Sequence, residues 1–249
     1  MAADDLSPIS RNWRLQWEHG SADIQSLGGM LGPVNLRLDG ERGLETMHVA
    51  PWSDTTAASN LSGVLRRLRG EWPCVPFGRT DQPRDLPPGW STHTPDDLWE
   101  HGYAANHHWQ CLEATPLRVH LAIDYPPDAA VARVERVIAA DPTASAIDIT
   151  LTIFARRAAR LPVGLHPTFR LPPARGRVQL RLGEHEGIHS YPTSAGGLSH
   201  LVPDTRSDSL ASMAGTHGTL DLSRLPLATP SEELMQVRGL RGSGGAAPF

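Results

Sequence analysis

The side chains best suited to acid–base chemistry at neutral pH lie in two short segments. Residues 99–109 include His101, which Gly102 follows directly, and residues 161–172 include His166. An imidazole has an ordinary pKa of about 6.5, so it both donates and accepts protons near physiological pH. Each histidine is therefore a candidate general acid or base.

The residue after each histidine indicates how its ring is presented. Pro167 disfavours helical backbone at position 166, so we expect His166 on an extended or turn segment. Spacing alone leaves open whether His166 acts chemically or only ends a strand. Gly102 would allow the chain at His101 to approach a ligand closely, although a hydrogen-bonded scaffold histidine is the more common case.

A metal site is not expected in the first segment. His101 and His107 are six residues apart, and His107 and His108 would point to opposite faces of an extended chain. Residues 99–109 also contain no His-Glu-x-x-His motif.

The composition excludes several enzyme classes. The 249-residue chain contains no lysine, so all 23 of its basic side chains are arginine. Schiff-base aldol chemistry, pyridoxal-phosphate anchoring and the Gly-Lys-Ser/Thr phosphate loop all need a lysine amine. None of these mechanisms is available to the chain.

The net charge and the distribution of apolar residues limit the binding partners and the cellular compartment that we expect. A net charge of −4 argues against nucleic acid or an anionic membrane as the main partner. We find no apolar stretch near the ~20 residues of a spanning helix, and the acidic N-terminus lacks a secretory signal. We therefore expect a cytoplasmic protein, in which Cys74 and Cys111 need not form a disulfide.

The tryptophans are unevenly distributed along the chain. Six of the seven precede residue 100, and Trp109 follows closely. Flat aromatic faces pack against the CH surfaces of sugar rings, which is a weak indication of carbohydrate binding, but core packing explains most tryptophans.

The histidine segments must be positioned mainly by short strands, because prolines and glycines interrupt the whole chain. Alternating apolar and polar residues predict four half-buried strands. These are Val34–Leu38, Leu117–Tyr125, Ile147–Ile153 and Val178–Leu182.

Two segments have apolar residues at helical spacing. Leu61–Leu68 predicts a short surface helix, whereas Val131–Ile138 is compatible with a helix or with one arm of a hairpin turning at Asp141–Ala144. The strand-rich pattern predicts an all-β, antiparallel sandwich or barrel. We expect a single domain over residues 1–249, with about 1–10 and 240–249 flexible.

Several segments, taken in order, resemble the aldose 1-epimerase (galactose mutarotase-like) family. The resemblance spans about residues 20–240, and residues 68–78 are similar to the Arg-Gly-Gly stretch of the hexose-6-phosphate epimerase branch. The matching segments are Leu27–Leu38, Leu68–Gly78, His101-Gly102, Gly164–Phe169 and Glu233–Gly239.

The resemblance implies a single-domain antiparallel β-supersandwich that binds a sugar or sugar phosphate and interconverts its α and β anomers. A histidine acid protonates the ring oxygen while a glutamate base deprotonates the anomeric hydroxyl. The resemblance assigns His166 as the acid and His101 as a second catalytic group near the ring oxygen. It assigns Arg69 and Asp204 to substrate binding, and it implies a monomer without cofactor or metal.

Three departures from the family pattern keep alternatives open. Glu71 replaces the second glycine of the Arg-Gly-Gly stretch, and Thr168 replaces the usual tyrosine after His-Pro. The family's late catalytic glutamate is not found, because Glu232 and Glu233 lie too early, so we expect that the C-terminal part of the family is missing. The chain is therefore an epimerase, a sugar-binding protein that lacks the base, or a structural β-domain.

Overall fold

The computed structural model describes residues 12–38, 42–55, 60–78, 85–91, 99–194 and 197–241. The N-terminal segment expected to be flexible, and residues 242–249 at the other end, lie outside these ranges. Contacts divide the chain into a larger unit, Met1–Gln82 with His93–Arg170, and a smaller unit, Pro83–Thr92 with Leu171–Phe249. The expectation of a single domain stays a prediction.

The larger unit contains two four-stranded antiparallel sheets and a two-stranded ladder. The first sheet has the order β1-β2-β3-β4, with β1 Asn12–Trp17, β2 Gly20–Gln25, β3 Leu31–Leu38 and β4 Arg42–Glu45. The second has the order β6-β7-β8-β9, with β6 Gln110–Ala114, β7 Arg118–Asp124, β8 Val131–Ala140 and β9 Ile147–Ala155. Two short helices, α1 Gly63–Arg66 and α2 Gly102–Asn106, and the ladder of β5 Pro73–Cys74 with β10 Gly164–Leu165 complete the unit.

The two sheets pack face to face around one apolar core. Leu15 and Ile24 of the first sheet belong to the same buried cluster as Val119, Leu121 and Ile138 of the second. Alternation along each strand directs these residues to one face, and burying that face is the main stabilising term of such a sandwich.

The predicted elements can be compared with the observed ones. Strands are observed at three of the four predicted places, as β3, β7 and β9, whereas only Val178–Gln179 of the fourth pairs, as β11. The ambiguous segment is β8, joined to β9 by a turn in which Asp141 Oδ1 accepts from the amide of Thr143 at 2.8 Å. The predicted helix within Leu61–Leu68 is the single turn α1.

The smaller unit is built from shorter strands around its own apolar cluster of Ile188, Leu201, Leu210, Met213 and Leu222. The strands are β11 Val178–Gln179, β12 Gly187–Ser190, β13 Arg206–Ser207, β14 Met213–Gly215, β15 Gly218–Leu220, β16 Arg224–Leu225 and β17 Met235–Arg238. The three-stranded sheet has the order β13-β12-β17, β14 and β15 form a hairpin, and β11 pairs with the distant β16. A 3-10 turn, Leu210–Ser212, lies between β13 and β14.

The prediction of an all-β antiparallel fold is confirmed, since nearly every element of the described chain is an antiparallel strand. No helix among the described residues is long and apolar enough to cross a membrane.

Candidate functional site

His101 and His166 lie together in the larger unit. His166 directly follows β10, and its amide donates to the carbonyl of Trp72 at 2.9 Å. His101 precedes α2, and its amide donates to the carbonyl of Gly78 at 2.7 Å. The backbone of residues 72–78 therefore holds both histidines, and their ring centroids are 5.0 Å apart at an angle of 76°.

Two aromatic rings surround this histidine pair. Trp72 stacks almost parallel to His166, with centroids 4.2 Å apart and 12° between the planes. Phe77 lies 5.6 Å from His101 and 6.3 Å from His166. Trp72 is buried, whereas Phe77 is 44% exposed. The histidine pair is therefore covered by a buried ring on the Trp72 side, and the solvent-exposed ring of Phe77 lies beside it.

The local environment favours the neutral form of His166. Burial lowers the pKa of its imidazole, and the negative charge of Glu71 opposes part of that effect. Its Nδ1 atom is buried and has no hydrogen-bond partner within the described residues. A buried imidazole nitrogen without a partner is energetically costly, so the fold leaves a polar requirement of His166 unmet.

Glycine at position 102 serves the protein's own packing. A Cβ atom there would lie 2.3 Å from the carbonyl oxygen of Val75, and Gly102 has a φ of +84°. His101 before it is also left-handed, with a φ of 61°. The sequence analysis suggested that Gly102 lets the chain approach a ligand. In the structure, Gly102 lets the chain approach the backbone of Val75.

A buried ion pair lies next to Trp72 in the sequence. Glu71 carries a carboxylate that is paired with the Arg136 guanidinium of β8. Both side chains are almost inaccessible to solvent, at 2% for Glu71 and 0% for Arg136. Burying two charges is stabilising only when they are well paired, so the chain depends on both partners.

Arg69 is placed in the interior, where other residues of the chain contact its guanidinium. It is 4% exposed and donates to Asp54 Oδ1 at 2.6 Å and to the carbonyl of Arg67 at 3.2 Å. Gln25 also accepts from Arg69 at 3.2 Å when its amide oxygen faces the guanidinium. A role of Arg69 in sugar binding stays a prediction.

Asp204 belongs to the smaller unit, in a group that we call the Trp90 cluster. Its Oδ1 accepts from the indole N–H of Trp90 at 2.9 Å, and Arg238 lies 4.6 Å from the centroid of that ring. His189 and Tyr191 contact Trp90 edge-on, at 6.3 and 6.5 Å. The sugar-binding role expected of Asp204 also stays a prediction.

A separate cavity of about 460 Å³ opens in the larger unit. Its lining includes Pro76, Tyr103, Tyr125 and Leu161, but neither His101 nor His166. The size suits a small ligand. The cavity wall combines aromatic and aliphatic side chains with Asp128 and Arg157 as its charged groups.

Two carboxylates considered in the sequence analysis, Glu71 and Glu233, are engaged by other groups of the chain. Glu71 is ion-paired, and Glu233 accepts from the amides of His200 and Leu201 at 2.8 and 3.2 Å. No three His, Cys, Asp or Glu side chains of the described residues are grouped to hold a metal ion. Cys74 and Cys111 are free thiols.

Sequence reasoning missed the partners of His166. Nothing in the sequence distinguished Trp72 from the other six tryptophans. Glu71 was noted only because it replaces the second glycine of the family's Arg-Gly-Gly stretch. The pairing of residues 72–74 with 164–166 is long-range, so no local pattern reveals it. The extended backbone predicted for His166 from Pro167 was the nearest available signal.

Comparison with known proteins identifies the fold. No protein-family model and no curated protein matches the chain. An Escherichia coli K12 structure whose name proposes an aldose 1-epimerase matches with a TM-score of 0.51 and 16% identity, over 81% of this chain and 62% of that chain. An aldose epimerase homologue from C. elegans matches with a TM-score of 0.51 and 10% identity, over 81% and 63% of the two chains.

Structural similarity at such low sequence identity establishes the fold alone. The chain has the antiparallel β-sandwich of galactose mutarotase-like proteins, as the sequence predicted. It spans less than two thirds of the length of either structure.

Proposed function

We propose that the chain is an aldose 1-epimerase that interconverts the α and β anomers of a hexose or hexose phosphate. The observation that carries the proposal is the histidine pair, in which two imidazoles lie 5.0 Å apart against Trp72 and Phe77. Two groups able to exchange protons near neutral pH, at one aromatic-walled place, suit a reaction that consists of proton transfers.

The reaction balances without any external reagent. A base takes the proton of the anomeric hydroxyl while His166 gives a proton to the ring oxygen, and the bond between C1 and that oxygen breaks. Rotation of the free aldehyde and reversal of the transfers from the other face close the ring as the other anomer. His101 assists near the ring oxygen, and Phe77 can pack against the apolar face of the sugar.

Acid catalysis requires that His166 spend part of its time protonated. Burial lowers the pKa of His166, so its imidazolium is a stronger acid but is less populated. The negative charge of Glu71 opposes part of this lowering. Sugar binding by Arg69 and Asp204 belongs to the same proposal, although both side chains already bind groups of the chain itself.

A second candidate is a carbohydrate-binding protein with little catalysis. It is favoured by the engagement of Glu71 and Glu233, which leaves neither carboxylate available as the base. Loss of one positioned proton-transfer group typically costs ~10²–10⁴-fold in rate. In both candidates the partner is a small sugar, and we expect a cytoplasmic monomer.

Polarimetry separates the two candidates. Freshly dissolved α-glucose and α-galactose, and α-glucose 6-phosphate, are followed with the purified chain and with buffer alone. An epimerase accelerates at least one of them in proportion to protein concentration. A rate equal to buffer for all three contradicts the enzyme proposal, and a saturable sugar-induced change in tryptophan fluorescence would then support the binding protein. Absence of both effects rejects both candidates.

A further inference from the structure

The phenol hydroxyl of Tyr125 bonds to both backbone segments that hold His101. Tyr125 directly follows β7 and is 6% exposed, so its hydroxyl lies in the interior. The hydroxyl donates to the carbonyl of Val75 at 2.6 Å and accepts from the amide of Ala104 at 3.2 Å. Val75 belongs to residues 72–78, and Ala104 belongs to α2. One hydroxyl therefore connects the start of α2 to the segment beside it.

The bond to Ala104 gives α2 a cap at its N-terminus. Ala104 is the third residue of the helix, and the amides of a first turn have no acceptor within the helix itself. A capping side chain normally belongs to the residue before the helix, which has extended backbone. Here that residue is His101, whose backbone is left-handed with a φ of 61° and whose side chain makes no capping hydrogen bond. Tyr125 supplies the acceptor from another part of the chain.

The bond to Val75 lies at the point where α2 meets residues 72–78. Val75 forms a parallel bridge with Gly102, and a Cβ atom at Gly102 would lie 2.3 Å from the Val75 carbonyl oxygen. The same oxygen accepts from the Tyr125 hydroxyl. Val75 and Ala104 are both 0% exposed, so bulk water cannot replace the hydroxyl at either group. Removing the hydroxyl would therefore weaken the contact between α2 and this segment.

His166 is held by different contacts. The ladder of β5 with β10 places Gly164 opposite Cys74, and the His166 amide donates to the carbonyl of Trp72. These bonds join main-chain groups and do not include the Tyr125 hydroxyl. Tyr125 therefore acts on one side of the histidine pair, through the start of α2 that His101 precedes.

We propose that Tyr125 is a positioning residue that holds the imidazole of His101 beside that of His166. Its hydroxyl caps α2 and ties the start of this helix to residues 72–78, which maintains the 5.0 Å separation of the two rings. Tyr125 acts through His101 and needs no contact with the sugar. This role deepens the proposed function, and only its kinetic part rests on that function.

The direct test compares Tyr125→Phe with the parent by NMR of the histidine ring protons, assigned by their loss in His101→Asn and His166→Asn. Phenylalanine keeps the ring, whose centroid lies 5.1 Å from that of Tyr103, and removes only the hydroxyl. We expect the His101 signals to shift and the NOE between the two imidazoles to disappear. The His166 signals should keep the ring-current shift from Trp72, which stacks on the imidazole at 4.2 Å. General destabilisation would alter both features together.

A matched control and a measurement on the parent accompany this test. Tyr103→Phe removes the other phenol hydroxyl of the larger unit and keeps both bonds of Tyr125, so the NOE should remain. Equal losses in the two variants would contradict a specific role of the Tyr125 hydroxyl. In the parent, the Tyr125 hydroxyl proton should exchange slowly with water and show an NOE to the Ala104 amide. Fast exchange of this proton would overturn the proposal even if Tyr125→Phe did not fold.

Unchanged His101 signals and an unchanged NOE in Tyr125→Phe would also overturn the proposal. In the kinetic arm, kcat for anomerisation should fall ~10–10²-fold with KM nearly unchanged, because the variant misplaces a group that assists the chemical step. A chain that shows the NMR changes but never accelerates anomerisation refutes the proposed function and keeps this inference. A catalyst whose His101 signals and kcat do not respond to loss of the hydroxyl does the reverse.

Discussion

Trp72 with His166 in the larger unit, and Trp90 with His189 in the smaller unit, are both tryptophan–histidine pairs. They differ in what their polar atoms contact. The indole N–H of Trp90 donates to Asp204, and Arg238 lies over the face of the same ring. His166 instead stacks flat on a buried Trp72 and keeps an unpartnered Nδ1.

This difference distinguishes a tryptophan that is hydrogen-bonded within the fold from a histidine whose buried nitrogen is left without a partner in the described part of the chain. In the Trp90 cluster, hydrogen bonding and the cation–π contact tie residues 85–91 to the strands of the smaller unit. His166 instead has a buried Nδ1 without a hydrogen-bond partner among the described residues, and its ring stacks on Trp72. The same two residue types therefore meet different surroundings in the two units.

The largest expected contrast is catalytic. His166→Asn should reduce catalysed anomerisation by ~10²–10⁴-fold, because it removes a positioned proton donor. The matched substitution His189→Asn should leave the rate unchanged. Polarimetry on both variants, with thermal unfolding as the check on folding, measures the contrast. Equal losses in the two variants would remove the distinction between the clusters.

The next contrast concerns stability. Arg136→Met leaves the Glu71 carboxylate buried and unpaired, which should lower the free energy of unfolding by about 3–5 kcal/mol. Arg238→Met removes a partly exposed cation from the face of Trp90 and should cost about 1 kcal/mol or less. Urea unfolding of both variants gives the comparison. If Arg238→Met lowered the free energy of unfolding as much as Arg136→Met, the Trp90 cluster would contribute as much to stability as the buried pair.

The smallest contrast is in the pH dependence of stability. Burial lowers the pKa of both His166 and His189, and Arg238 and Arg206 lower that of His189 further. The unfolded chain therefore binds protons below its unfolded pKa of about 6.5 that the folded chain does not, so stability decreases as pH falls from that value to the folded pKa.

Each histidine-to-asparagine variant should flatten this decrease. The effect of His166→Asn should be the larger, since its imidazole is the more deeply buried of the two. Unfolding curves recorded between about pH 5 and pH 8 test the sign and the order. An increase in stability on acidification through this range would show that the lowered pKa values are wrong.

Local patterns predicted the strands whose two faces have different environments. The alternation in β7 is visible because Val119 and Leu121 are buried while Arg118 and His120 are only partly buried. The pattern in β8 was ambiguous, since Val131, Val134 and Ile138 fit helical spacing as well. The core resolves the ambiguity by pairing β8 with strands on both sides.

The site was less accessible from the sequence because its contacts are long-range. Pro167 correctly suggested an extended segment at His166, but the stacking on Trp72 depends on a register that no local pattern encodes. The Glu71–Arg136 pair joins positions 65 residues apart, and both residue types are usually exposed. Arg69 was expected at a ligand, whereas Asp54, Arg67 and Gln25 surround its guanidinium in the fold.

The buried Glu71–Arg136 pair also constrains how this sequence can change over generations. Replacing either partner alone passes through a protein with an uncompensated interior charge, whereas replacing both together does not. The two positions should therefore behave as one heritable unit with strong epistasis. A lineage that acquired glycine at position 71 would be expected to lose arginine at position 136 in the same evolutionary step, or to have first acquired another partner for the arginine charge.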